Sequence, residues 1–130
     1  MTAPNPIPLD TISVLVIEDS DYVRDLIVRM LRRAGIQKIV ETRSGSEGIA
    51  EASTSEFDIV LCDIGLPDTS GFDVIRAIRA QRPSLPCLIL TGHTDKASVI
   101  EARKVGAAAY LAKPVSPREL ERKVRAVVGA

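Results

Sequence analysis

Asp58-Ile59-Val60-Leu61-Cys62-Asp63 sets four apolar residues between two acids, and its reading decides the fold. A strand with one face in water alternates polar and apolar residues; this run does not alternate, so both its faces are covered. Asp63, closing the run, does not belong in such a core and needs a reason. The pattern recurs. Val14-Leu15-Val16-Ile17 leads into Glu18-Asp19, Cys87-Leu88-Ile89-Leu90 into Thr91, and Ala107 to Ala112 into Lys113. In a parallel sheet the carboxyl ends of the strands share one edge, where open α/β sheets bind their ligands. Acids, hydroxyl and amine are therefore expected in one crevice.

Helical patterns fill the gaps between these runs. Val23, Leu26, Ile27, Met30, Leu31 and Ala34 make one apolar face, and Gly35 stops that helix. Ser44 with Glu47 opens a second helix as a capping box. A third starts near Ser70 and Asp73, buries Phe72, Ile75 and Ile78, and cannot pass Pro83. The fourth spans about Asp95 to Lys104, with Val99, Ala102 and Val105 inward. The fifth opens Ser116-Pro117-Arg118-Glu119 and buries Leu120, Val124, Val127 and Val128. The second strand, Ile36-Gln37-Lys38-Ile39-Val40, is mixed and suits an edge. The expected fold is α/β, a (βα)5 doubly wound parallel sheet in the flavodoxin-like order 2-1-3-4-5. Residues 1–11, with Pro4, Pro6 and Pro8, form a flexible lead, and residues 12–130 one domain.

A chain of 130 residues with 45% hydrophobic and 26% charged residues is an ordinary globular domain. Neither a signal-peptide pattern nor a membrane-length apolar stretch occurs, so the cytoplasm is expected. Residues 1–75 hold 13 acids and 6 bases, residues 76–130 hold 4 and 11. The basic half spaces its Lys and Arg as solvated helix faces almost without aromatics, which does not favour nucleic acid. Cys62 and Cys87 lack metal-ligand spacing and read as small buried hydrophobes.

Glu18, Asp19 and Asp63 give the crevice its chemistry. Two carboxylates about 4 Å apart repel by roughly 4 kcal/mol at an effective dielectric near 20. A hard cation that prefers oxygen ligands relieves that repulsion, and Mg²⁺ fits best. Lys113 is a mobile point charge suited to a phosphoryl group, and Thr91 supplies a hydroxyl donor. Gly65 and Gly92 leave room for backbone N–H groups to approach the same anion.

These residues resemble the receiver domain of two-component response regulators. The likeness runs from about Ile12 to Val128. It includes Val-Ile-Glu18-Asp19, the stretch Asp58 to Gly71, Thr91-Gly92, Gly106-Ala-Ala-Ala-Tyr110 and Lys113-Pro114. The resemblance implies that Asp63 accepts a phosphoryl group from a phosphohistidine on a sensor histidine kinase or phosphotransfer protein. Glu18, Asp19, Asp63 and the Gly65 carbonyl would hold Mg²⁺, Lys113 would contact the phosphoryl group, and the Lys113-Pro114 bond would be cis. Thr91 and Tyr110 would form a switch pair acting on the surface of the fourth helix, fifth strand and fifth helix. Gly92 replaces the family's usual alanine, which implies a looser loop. Gly65 and His93 occupy positions that influence acyl-phosphate hydrolysis.

The expected function is a phosphorylation-driven switch, catalysing only its own phosphorylation and dephosphorylation, with a protein partner downstream and no direct binding of nucleic acid or membrane. A free-standing regulator is favoured over a receiver cut from a larger regulator or hybrid kinase, and phosphorylation-dependent homodimers occur in the family. Aspartyl-phosphate phosphatases typically need a second Asp where Gly65 stands. No G-x-G-x-x-G or G-x-x-x-x-G-K-[ST] stretch supports a nucleotide or flavin site.

Overall fold

In the computed structural model, which describes residues 7–92 and 96–130, five parallel strands take the order β2-β1-β3-β4-β5. They are β1 (Ser13–Ile17), β2 (Lys38–Thr42), β3 (Ile59–Asp63), β4 (Cys87–Thr91) and β5 (Ala109–Ala112). Between and after them run α1 (Asp21–Arg33), α2 (Gly45–Thr54), α3 (Gly71–Gln81), α4 (Lys96–Lys104) and α5 (Pro117–Val128). The expected fold and order are therefore those observed.

The continuously apolar strands occupy the middle. Every residue of β3 and β4 is buried, whereas the edge strands β2 and β5 are mixed. Successive side chains alternate between two cores. Val14, Val16, Leu61 and Leu88 pack with Ile27 and Leu31 of α1 and Leu120 and Val124 of α5. Leu15, Ile17, Val60 and Ile89 face the other way, onto Val74, Ile75 and Ile78 of α3 and Ala102 of α4. Helix starts follow the serines: Ser20, Ser44, Ser70 and Ser116 each accept a backbone N–H of the first turn.

Three expectations need correction. The second strand begins at Lys38 and extends to Thr42, beyond the expected 36–40. Ile36 instead closes α1: Gly35 has φ 105°, and the Ile36 N–H returns to the Leu31 carbonyl. The fifth strand starts at Ala109, because Gly106 (φ 79°) and the Ala107 N–H cap α4 in the same way, onto Ala102. In both places an apolar residue after a left-handed glycine belongs to a helix end. Residues 7–11, expected within a flexible lead of residues 1–11, are structured. Leu9–Thr11 form a 3-10 turn, Leu9 is buried in the α1/α5 core, and the Ile7 N–H reaches the Gly129 carbonyl. Residues 1–6, His93 and Asp95 lie outside the described residues.

Candidate functional site: an acidic crevice at the carboxyl edge of the sheet

Register brings the strand ends level. Ile17 pairs with Cys62, Asp63 with Leu90 and Thr91 with Ala112, and the Lys113 N–H continues the ladder to the Thr91 carbonyl at 2.7 Å. Glu18, Asp19 and Asp63 each place one carboxylate oxygen within 4.8 Å of the others. Glu18 is fully buried, Asp63 is 7% exposed and Asp19 faces solvent. Lys113 Nζ lies 2.6 Å from Glu18 Oε1 and 3.0 Å from Asp63 Oδ1. The Lys113-Pro114 peptide is cis.

One ammonium stands against three carboxyl groups. Burial pushes the Glu18 carboxyl above its usual range; its bond to Lys113 offsets part of this, and the Asp63 charge adds to it. For Lys113, burial favours the neutral amine. The bonds to Glu18 and Asp63 outweigh it and raise the ammonium's pKa. Among the described residues the cluster thus has an excess of negative charge and offers hard oxygen donors, a set that fits Mg²⁺ with part of its water shell.

Thr91 ends β4 with its side chain buried. Half-buried Tyr110, opposite Ile89 on the next strand, lines a small cleft with Thr91, Ile64, Ser98, Val99 and Ala102. Lys123 of α5 donates to the Tyr110 carbonyl at 2.6 Å and stands 5.2 Å from the centre of its ring. Gly65 is exposed, and among the described residues a Cβ there would meet Asp63 Oδ2 alone, at 4.0 Å. Around a Cβ built at Gly92 no atom of the described residues lies within 4 Å. Glu18, Asp19, Asp63 and Lys113 are thus brought into one cluster, with Thr91 beside it and Tyr110 behind Thr91. Gly65, two residues beyond Asp63, forms an isolated antiparallel bridge with Ser70.

Sequence reading passed over two residues. Arg24, buried to 6% exposure, donates to the Glu18 carbonyl at 2.9 Å and holds the Asp21 carboxyl below its usual range. Its signal was a charge at i, i+3, i+4 and i+7 with Ile27, Val28 and Leu31, all buried. Asp68 accepts the Gly45 and Ser46 N–H groups at 2.8 and 2.9 Å, tying the loop after Asp63 to the start of α2. Nothing in the local sequence marks that long-range bond.

An apolar groove adjoins the crevice. Tyr22, 74% exposed, and Leu26, expected inside but 37% exposed, line it with Met30, Pro114 and Val115. No helix among the described residues is long and apolar enough to cross a membrane.

Residues 14–125 match the response regulator receiver domain. The chain is 35% identical over 116 residues to the transcriptional regulatory protein CreB of Escherichia coli, covering 89% of this chain and 50% of CreB. It is 37% identical to the sensory transduction protein RegX3 of Mycobacterium tuberculosis, again over 89% and 50%. It therefore spans about half the length of these curated relatives. Among solved structures, Vibrio cholerae chemotaxis response regulator CheY4 superposes with TM-score 0.83 at 31% identity, covering 90% of this chain and 99% of that one. A CheY-like receiver domain from Methanospirillum hungatei gives 0.84 at 27%, covering 89% and 92%. With this fold and this crevice, the chain belongs to the response regulator receiver domain family.

Proposed function

We propose that Asp63 is the phosphoacceptor of a signalling switch, receiving its phosphoryl group from a phosphohistidine on a sensor histidine kinase or phosphotransfer protein. The observation that carries this is the meeting of Asp63 with Glu18, Asp19 and Lys113, three carboxyls and one ammonium at the end of a buried strand. A carboxylate oxygen of Asp63 attacks phosphorus, the P–N bond breaks, and imidazole leaves with the bonding electrons, giving an acyl phosphate. Lys113 already contacts Oδ1, and Oδ2 lies 4.0 Å from a Cβ built at Gly65, a residue that brings no side chain of its own to the incoming phosphoryl group. Mg²⁺ held by Glu18, Asp19 and Asp63, with the Gly65 carbonyl as a further ligand, would supply charge neutralisation for the transfer. The chain's own part is alignment.

The Tyr22/Leu26 groove beside Lys113 supports docking of the donor protein there, since a phosphohistidine must come to this rim. Thr91, which ends β4, and Gly92, which follows it, would engage the new phosphoryl oxygens. A shift of Thr91 alters the cleft it shares with Tyr110, and so the surface of α4, β5 and α5 offered to an output partner. Such a switch needs only a few kcal/mol of differential stability. Its chemistry is its own phosphorylation and dephosphorylation. The half-length cover of CreB and RegX3 supports a receiver serving a longer regulator, and the near-complete cover of CheY4 supports a free-standing one. The size of the native polypeptide on an immunoblot separates them.

The test is direct. With Mg²⁺ and acetyl phosphate the protein gains one acid-stable, base-labile phosphate, seen as a single added phosphoryl mass, and Asp63→Asn does not. Labelling that persists unchanged in Asp63→Asn ends this reading.

A further inference from the structure

The geometry points to Arg24 as a positioning residue for the divalent-cation site, a role that rests on reading Glu18, Asp19 and Asp63 as that site. Arg24 lies in the first turn of α1, and its guanidinium engages three groups. Nη1 donates to the Glu18 carbonyl at 2.9 Å, Nη2 to Asp21 Oδ1 at 2.5 Å and Nε to Glu41 Oε1 at 3.3 Å. One side chain so joins the loop after β1, the start of α1 and the edge strand β2. A charge buried this far needs such partners, and the planar fork meets all three at once.

The carbonyl it grips belongs to the peptide joining Glu18 to Asp19. Fixing that peptide plane sets the directions in which both carboxyl side chains leave the backbone. Glu18 goes inward to Lys113, and Asp19 goes to the exposed rim where the three acids meet. The Glu18 N–H is pinned as well, to the Thr42 carbonyl at 3.1 Å, so the acidic pair hangs from two fixed points. Groups that orient ligands from behind are typically worth about 10–100-fold in metal affinity.

Other roles for Arg24 differ in sign. Acting only as a nearby charge, it repels a divalent cation, and its removal tightens binding. Acting only in packing, its loss lowers the melting temperature and leaves the affinity of the folded molecule unchanged. Positioning alone makes removal weaken binding.

Mn²⁺, which favours the same oxygen ligands, serves as the probe. Free Mn²⁺ is titrated by electron paramagnetic resonance into wild type, Arg24→Met and Arg24→Lys, each well below its thermal transition. Arg24→Met is expected to bind about tenfold or more weakly. Arg24→Lys, which keeps the charge but not the three-way fork, falls between Arg24→Met and wild type. Unchanged or tighter binding by folded Arg24→Met overturns the assignment. If Arg24→Met does not fold, Arg24→Lys decides: wild-type affinity overturns it, and weaker binding upholds it. Wild type that binds no Mn²⁺ removes the cation site and this role together; wild type that binds with Arg24→Met its equal removes this role alone.

Discussion

At the scale of residues, the crevice is held in a state that folding alone does not favour. Glu18 is buried beside Asp63, so its carboxyl keeps a proton to higher pH in the folded chain than its ordinary 4.5. Above about pH 4.5 the unfolded chain releases that proton first, and stability falls as pH rises through the window up to the raised folded value. Urea midpoints in EDTA should show this downward slope in wild type and lose it in Glu18→Gln. The opposite dependence would mean that Lys113 controls Glu18 more strongly than burial does. Lys113 contributes stability that is complete below its ordinary 10.5 and is lost as pH climbs through its raised folded value. Lys113→Ala should still bind Mg²⁺, having lost a repelling cation, but should no longer couple phosphorylation to the α4-β5-α5 surface. Tyr110 chemical shifts, with and without beryllofluoride, check this.

At the scale of elements, the loop after β3 is set by close approach. A Cβ at Gly71 would lie 2.1 Å from the Asp63 carbonyl and 2.7 Å from the Ile64 Cα, both backbone atoms with little freedom to yield. Gly71→Ala should cost about 1–3 kcal/mol by urea denaturation, as overpacking does, and should slow labelling by moving Asp63. Gly92→Ala, whose Cβ would meet no atom of the described residues within 4 Å, should stay within about 0.5 kcal/mol of wild type. Equal losses for the two would show that crowding is not what fixes this loop. Helix ends teach a related lesson. Gly35 and Gly106 each sit in the left-handed region and send the following apolar residue back to its helix, shortening the adjacent strand from its amino end.

At the scale of the whole molecule, a ligand that binds only the folded chain raises its stability. Mg²⁺ at a hundred times its dissociation constant should add about 2.7 kcal/mol, read as a shift of the urea midpoint, and much less in Asp63→Asn. The two thiols report on the same core. Cys62 is pushed up by burial, and Cys87 is pushed up to about 12 for the same reason, so neither should react with a disulfide reagent at pH 8 until the chain unfolds. Rapid reaction of either in the folded state would show that the α3/α4 side opens locally. The sequence by itself determined the sheet, its strand order and the cluster of Glu18, Asp19, Asp63 and Lys113, because continuous apolar runs bury both faces of a strand and parallel strands end together. Tertiary structure alone decided the rest. It turned Leu26 outward beside Tyr22, packed Leu9 against the sheet, and tied Asp68 to α2 and Arg24 to the Glu18 carbonyl. Those contacts depend on how separate elements meet in space, and local periodicity carries no record of which distant backbone group a polar side chain will find.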